Sequence, residues 1–176
     1  ELNHYERAAL LLRELGQDTS FMLAQKLEER SMYATEGVKE CSSWAERALI
    51  SYLLEAAVVE ILKEMADSSY KPLADMCPLV IKEENLHIAH GYRITREMCS
   101  EAKGKKEIQL ALERMWPVTL DSFGTSNSKR SLLYKKWGLR KYSNQEAREN
   151  FIAITKPKLE KLGLNVPSNS ENRKFI

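Results

Sequence analysis

An apolar stripe at helical spacing, interrupted by one acid and one histidine, constrains the fold of this chain more than any other sequence feature. The stripe comprises Leu73, Met76, Val80, Glu84, His87, Gly91 and Ile94. Apolar residues that recur every three or four positions predict a helix with one buried face. Glu84 and His87 share that face, and a buried carboxylate is costly unless it is paired or bound to metal. Their Glu-x-x-His spacing lets both side chains bind one ion.

Long runs without turn signals predict an all-α fold, since the 176 residues include only 7 glycines and 5 prolines. The predicted helices span residues 1–15, 18–30, 44–66, about 70–99, 105–123 and 144–162, with a looser connection at 31–40. We expect Pro78 to kink its helix and Pro117 to kink or break the next one, because an internal proline removes a backbone hydrogen bond. We predict a single domain over 1–176, in which 126–176 form a C-terminal helical extension and tail.

Composition favours a cytoplasmic protein without a membrane span. Cys41, Cys77 and Cys99 are odd in number and lack a C-x-x-C pattern, which predicts reduced thiols in the core. No apolar run reaches the roughly 18 residues that a membrane span requires. The net charge of +2 is close to balanced, which argues against a nucleic-acid partner.

Two other predicted helices carry residues of the same chemical type on their apolar faces. Glu1 and His4 form a second Glu-x-x-His, and Glu55 interrupts a third stripe. The stripe with Glu1 and His4 continues through Ala8, Leu11 and Leu15, and the stripe with Glu55 contains Ala45, Ala48, Tyr52, Val59 and Leu62. Taken singly, each has a simpler explanation: Glu1 and His4 could be solvated at a frayed helix end, and Glu55 could reach solvent or bond to a tyrosine.

Taken together, the polar residues predict a dimetal site at the centre of a four-helix bundle. Such a site takes one Glu from each of two helices and a Glu-x-x-His from each of the other two. Glu1, His4, Glu55, Glu84 and His87 supply five of these six ligands in the expected order. Glu55 precedes Glu84 by 29 residues, so we expect the sixth ligand on a first helix about 30 residues before Glu1, which this chain lacks. Carboxylate oxygens with only two imidazoles favour iron, or manganese, over zinc or copper.

A basic segment at 129–141 contains six cations and no acid, with Tyr134 and Trp137 between them. Such a segment could bind the phosphates of a nucleotide-bearing cofactor or a nucleic acid. A solvated basic face or a contact with an acidic partner protein explains it at least as well.

The segment Lys82–Gly91, which reads KEENLHIAHG, resembles the KEESFHQRQG segment of the catalytic subunits of the phenylacetyl-CoA monooxygenase family. The resemblance extends over nearly the whole chain. Residues 1–4 are similar to that family's D-E-A-G-H segment and residues 52–57 to its W-L-V-D-G-A segment. Residues 115–117, 123–124, 142–146 and 162–167 are similar to its closing region.

The resemblance implies a ferritin-like fold in which Glu1, His4, Glu55, Glu84 and His87 bind two irons. It implies insertion of one oxygen atom from dioxygen into an aromatic ring carried as a CoA thioester, with electrons from NADPH delivered by a separate reductase. The partners would be small accessory subunits, together with a homologous non-catalytic ferritin-like subunit.

Two departures from the family pattern are Glu55, where the family has Asp, and His90, where it has Gln. Neither departure identifies the substrate. Two alternatives stay open: a non-catalytic scaffold subunit, and another diiron oxidase or a ferroxidase. A scaffold subunit without metal would not need acids whose burial is costly, so the presence of these acids argues against the scaffold.

Overall fold

The computed structural model describes residues 2–29 and 40–175, and the regular structure within these ranges is helical, without strands. The elements are α1 (Leu2–Glu14), α2 (Ser20–Ala24), a 3-10 turn (Leu27–Glu29), α3 (Trp44–Leu49), a π-helical segment (Ile50–Leu54), α4 (Glu55–Met65), α5 (Lys71–Cys99), α6 (Ala102–Asp121), α7 (Lys129–Lys136) and α8 (Asn144–Lys161). The predicted all-α, ferritin-like fold is confirmed. Among the described residues, no helix combines the length and apolar character needed to cross a membrane.

A long helical hairpin forms the centre of the fold. Its first arm is α3, the π segment and α4 in uninterrupted succession, and its second arm is α5. Ser43 begins the first arm with a capping box, in which its hydroxyl accepts from the Glu46 backbone N–H and the Glu46 carboxylate accepts from the Ser43 N–H. The sequence predicted the two helices of this hairpin but not the π segment within the first.

The helices that contain Pro78 and Pro117 both continue through their prolines. Helix α5 spans Pro78, and α6 spans Pro117, so α6 does not break at Pro117, which was one of the two expected outcomes there. Pro117 is buried next to Trp116, which has no exposed surface. We infer that packing of α6 into the core outweighs the loss of one backbone hydrogen bond.

The predicted helix over 18–30 is mostly wrong, because only Ser20–Ala24 and a following 3-10 turn are helical. The apolar side chains of Phe21, Met22 and Leu23 in this stretch are exposed. A short helix without a packed face is marginal in water, which explains its early end. The connection predicted at 31–40 lies almost entirely outside the described residues.

One hydrophobic core joins the hairpin to α6 and α8. Its largest fully buried side chains are Trp116, Tyr52 and Phe151, and Trp116 and Phe151 have ring centroids 5.8 Å apart. Met115 and Trp116 of α6 are core residues, whereas Leu110 of the same helix is 58% exposed. Of the three thiols, all free, Cys77 is buried and the other two are half-buried.

Gly91 sets the distance between the two arms of the hairpin. A Cβ atom at this position would lie 2.6 Å from the Tyr52 backbone nitrogen and 2.8 Å from the Ala48 carbonyl oxygen. These are backbone atoms, so a side-chain rotation cannot relieve the contact. Any larger residue must push α5 away from α3 and the π segment.

Replacement of Gly91 by alanine should therefore destabilise the protein by about 3 kcal/mol, near the upper end of the usual cost of overpacking. Urea unfolding followed by circular dichroism would measure this loss. Ala89→Ser is the matched control, because it adds one heavy atom to an exposed position of the same helix and should change stability by less than about 0.5 kcal/mol. Equal stability of the two variants would contradict the close approach.

A buried ion pair fixes the C-terminal part of the chain to α4. Glu64 is 2% exposed, and its Oε1 accepts from the Arg140 guanidinium at 2.6 Å and 3.1 Å. The other oxygen accepts from the Tyr142 backbone N–H at 2.9 Å. Arg140 also donates to Asn144 Oδ1 at 2.8 Å. This cation of the basic segment therefore has a structural role, and Lys135 likewise pairs with Glu146 at 2.8 Å.

We expect Glu64→Ala to lower the free energy of unfolding by about 3–5 kcal/mol, because it leaves the Arg140 charge buried without its partner. The control is Glu160→Ala, which removes an exposed pair with Lys156 at 3.9 Å and should cost less than about 1 kcal/mol. Thermal and urea unfolding of both variants would compare them. A loss at Glu64 as small as that at Glu160 would show that the buried pair does not hold the C-terminal region.

Candidate metal centre

Glu84 lies at the centre of a cluster of acids and histidines between α1 and the hairpin. It is 3% exposed, and each of its oxygens faces a histidine nitrogen. Oε1 lies 3.0 Å from His4 Nδ1, and Oε2 lies 2.9 Å from His87 Nδ1. An ionised carboxylate only accepts hydrogen bonds. A proton or a metal cation must therefore bridge each of these nitrogen–oxygen pairs.

Glu55 completes a group of three possible ligands with Glu84 and His87. One ligand atom from each of these residues lies within 4.8 Å of the other two. Glu55 is the first residue after the π segment and is half-buried. Single π turns inside α-helices occur often at functional sites. Here the π segment ends where the first arm of the hairpin presents its carboxylate to α5.

Glu83 orients His4 from the side opposite to Glu84. Its Oε2 lies 2.6 Å from His4 Nε2. If Nε2 carries the proton and donates to Glu83, the Nδ1 lone pair of neutral His4 points at Glu84. Histidines that bind metals commonly donate their second N–H to a carboxylate in this way, which fixes the tautomer and the ring orientation.

The structure brings four of the five predicted ligands together. Glu55, Glu84 and His87 form the group of three, and His4 contacts Glu84 from α1. Glu1 lies outside the described residues. Sequence reasoning missed Glu83, whose only signal was an acid immediately before the Glu-x-x-His. At that position a helical residue lies off the apolar stripe, and only the packing of α1 against α5 shows what it contacts.

The predicted apolar face of α1 is partly wrong. Ala8 and Leu15 are exposed, whereas Ala9 is buried and Leu11 is half-buried. His4 is half-buried and faces α5 as expected. The inner face of α1 is therefore rotated by about one residue toward Ala9, the buried residue of this helix.

The donor set fits a hard divalent metal. The described donors are two carboxylates, Glu55 and Glu84, and two imidazoles, His4 and His87, and no cysteine belongs to the group of three. Iron and manganese accept such mixed oxygen and nitrogen donors, whereas thiolates favour softer metals. The second oxygen of each carboxylate gives the cluster the capacity to bridge two ions.

The described residues form a helical bundle in which a buried carboxylate faces two histidines, an arrangement of side chains on adjacent helices from which helical proteins can build metal sites. Comparison with known proteins makes this more specific. The chain belongs to the family described as "Phenylacetic acid catabolic protein", which matches residues 3–175. The family resemblance that the sequence indicated is confirmed.

A curated relative gives one further comparison. The chain is 28% identical over 144 residues to a protein of Escherichia coli (strain K12) that is named as one of the subunits of 1,2-phenylacetyl-CoA epoxidase. The alignment covers 80% of this chain and 47% of the relative. The chain therefore spans about half the length of that protein.

The position of Glu83 predicts a measurable effect on metal affinity. Glu83→Ala should weaken Fe(II) binding by about 10- to 100-fold, because His4 loses the acceptor that fixes its orientation. Anaerobic Fe(II) titration against a competing chelator would measure the change. Glu97→Ala is the control, since Glu97 is an exposed residue of α5 that pairs with Arg93 at 2.8 Å. Unchanged affinity in the Glu83 variant would exclude this positioning role.

Proposed function

We propose that this chain is part of an oxygen-activating diiron monooxygenase that acts on an aromatic ring carried as a CoA thioester. The observation that carries the proposal is Glu84, a buried carboxylate whose two oxygens face His4 and His87. Three further observations support it: Glu55 lies in the same cluster, the chain belongs to the phenylacetic acid catabolic family, and its curated relative is named as part of an epoxidase.

The proposed iron ligands are Glu1, His4, Glu55, Glu84 and His87. Bound iron would supply the redox chemistry that activates dioxygen. The chain's own residues would hold the ions and position the histidines. Glu83 lies within hydrogen-bond distance of His4 Nε2, and donation from this nitrogen to Glu83 would leave the Nδ1 lone pair for a metal. Burial of Glu84 keeps water from competing for its oxygens.

Phenylacetyl-CoA or a similar aryl thioester is the proposed substrate. The relative's printed name states this substrate for that protein, and the alignment with this chain is the support for carrying it over. The same name describes one chain of a larger enzyme, which supports an assembly with other chains. We propose three kinds of partner: small accessory subunits, an NADPH-dependent reductase, and a homologous non-catalytic ferritin-like subunit.

Iron binding tests the metal part of the proposal directly. After anaerobic loading and removal of excess metal, the protein should retain up to about two iron ions per chain. Glu84→Ala should lose most of this iron, because the central carboxylate contacts both histidines. Glu97→Ala again serves as the control. Less than about one iron per two chains, in protein that also contains the expected sixth ligand, would overturn the diiron assignment.

Oxygen consumption tests the reaction. With the reductase and partner chains present, NADPH-dependent oxygen uptake should increase when phenylacetyl-CoA is added, and the product should contain one added oxygen atom. Iron-loaded protein that consumes oxygen without any aryl thioester would point instead to another oxidase or a ferroxidase. Iron-loaded protein without oxygen uptake under all these conditions would contradict the oxygenase proposal.

A further inference from the structure

Helix α7 presents a mixed apolar and basic face to solvent. Leu132 and Leu133 are 58% and 39% exposed, and Trp137, at the end of the helix, is 55% exposed. Exposed cations lie on the same side, because residues three or four positions apart are neighbours on a helix. These cations are Lys129, Arg130 and Lys136. We call the six residues together the α7 face.

The cations of the α7 face form no ion pair with any side chain in 2–29 or 40–175. Two other cations of the basic segment use the acids that come close to it. Lys135 pairs with Glu146, and Arg140 pairs with Glu64. The α7 face therefore carries three positive charges whose neutralisation is left to solvent ions or to another molecule.

Two hydrogen bonds fix the end of the α7 face against the turn between α4 and α5. Ser69 Oγ donates to the Trp137 carbonyl oxygen at 2.7 Å, and the Ser69 N–H donates to the Gly138 carbonyl oxygen at 2.8 Å. The exposed indole is therefore attached to a backbone that is already held in place. Tryptophan and arginine are enriched among the residues that contribute most to protein–protein binding, and a preorganised anchor loses less entropy on binding.

The arrangement of charge favours a protein partner over a membrane. A helix that lies on a membrane separates its apolar face from its charged face. On α7 the two kinds of residue are mixed, since Leu133 has Lys129 and Lys136 as neighbours on the same side. Small, charge-bearing surfaces of this kind are typical of transient electron-transfer complexes, which bury less than about 1,200 Å² and are steered together by opposite charge.

The α7 face lies at the end of the hairpin arm that carries a proposed iron ligand. Arg140, four residues after Lys136, binds Glu64 of α4. Glu64 follows Glu55 by nine residues in the same helix, which corresponds to roughly 14 Å. The proposed function needs electrons at that site: NADPH gives up two electrons to a reductase, which passes them on to reduce two Fe(III) ions to Fe(II).

We propose that the α7 face docks an acidic surface of the reductase that supplies these electrons. The three cations steer the reductase toward this end of the hairpin, and Trp137 is the apolar anchor of the complex. This inference rests on the proposed function, because that function supplies the reductase as a partner.

Surface plasmon resonance between the iron-loaded protein and the purified reductase of the proposed enzyme tests the docking. Lys136→Glu should lower the association rate constant by about tenfold at low salt, and added salt should reduce the difference by screening the charges. Trp137→Ala should raise Kd by at least about tenfold, because it removes the anchor. The matched controls are Lys158→Glu, at an exposed lysine of α8, and Trp44→Ala, at a tryptophan of α3 that is 60% exposed.

Each outcome decides for or against the docking. Weaker binding by both α7 variants, with circular dichroism, iron content and both controls unchanged, supports it. Reductase binding that is equal in the α7 variants, or missing in the unsubstituted protein, overturns it. Binding to vesicles of anionic phospholipid that Lys136→Glu abolishes, with reductase binding unaffected, would assign the α7 face to a membrane and also overturn it.

A reaction without the reductase separates this inference from the proposed function. The iron-loaded protein and its partner chains are reduced with dithionite, freed of the reductant, and mixed with oxygen and phenylacetyl-CoA. Oxygenated product without reductase binding at α7 would leave the proposed function in place and overturn the docking. Reductase binding at α7 without any product would support the docking and contradict the proposed reaction.

Discussion

The burial of Glu84 is the constraint on which the rest of the site depends. A carboxylate that is 3% exposed needs compensation, and two histidine nitrogens face its oxygens at about the distance of a hydrogen bond. His87 comes from the same helix, one turn away, whereas His4 comes from α1. The packing of α1 against α5 therefore places one of the two histidines that compensate for the burial of Glu84. Glu83 adds a second contact between these two helices, because its carboxylate lies within hydrogen-bond distance of the other ring nitrogen of His4.

The close contact at Gly91 complements this polar centre. The glycine lies one turn beyond His87, and its missing side chain lets α5 touch the backbone of α3 and the π segment. Because the helices approach so closely, Glu55 at the end of the π segment reaches the cluster with Glu84 and His87. A cavity lined by Arg47, Glu55 and His87 opens along the same pair of helices. Backbone packing and the geometry of the site are thus set by one interface.

Outside the site, buried polar contacts connect the C-terminal part of the chain to the bundle. Glu64 binds Arg140 and the Tyr142 backbone. Asp121 is 3% exposed and accepts from Arg173 at 3.0 Å. The basic segment at 129–141 illustrates the limits of reading charge from sequence. A run of cations without acids suggested phosphate binding, yet two of its members pair with Glu64 and Glu146, acids that lie outside the segment. Only tertiary packing reveals such partners.

The sequence by itself determined the helical class, the two helices over 44–66 and 70–99, and the presence of Glu55, Glu84 and His87 on inward faces. These features depend on the spacing of apolar residues within short stretches of the sequence. Tertiary structure decided the rest. It showed that α5 and α6 continue through their prolines, that α2 is short, and that α1 turns Ala9 inward while Ala8 faces solvent. It also showed that Glu83 contacts His4 and that Arg47 lines a cavity. These outcomes depend on contacts between residues far apart in the chain, because packing energy, not local propensity, selects among locally acceptable arrangements.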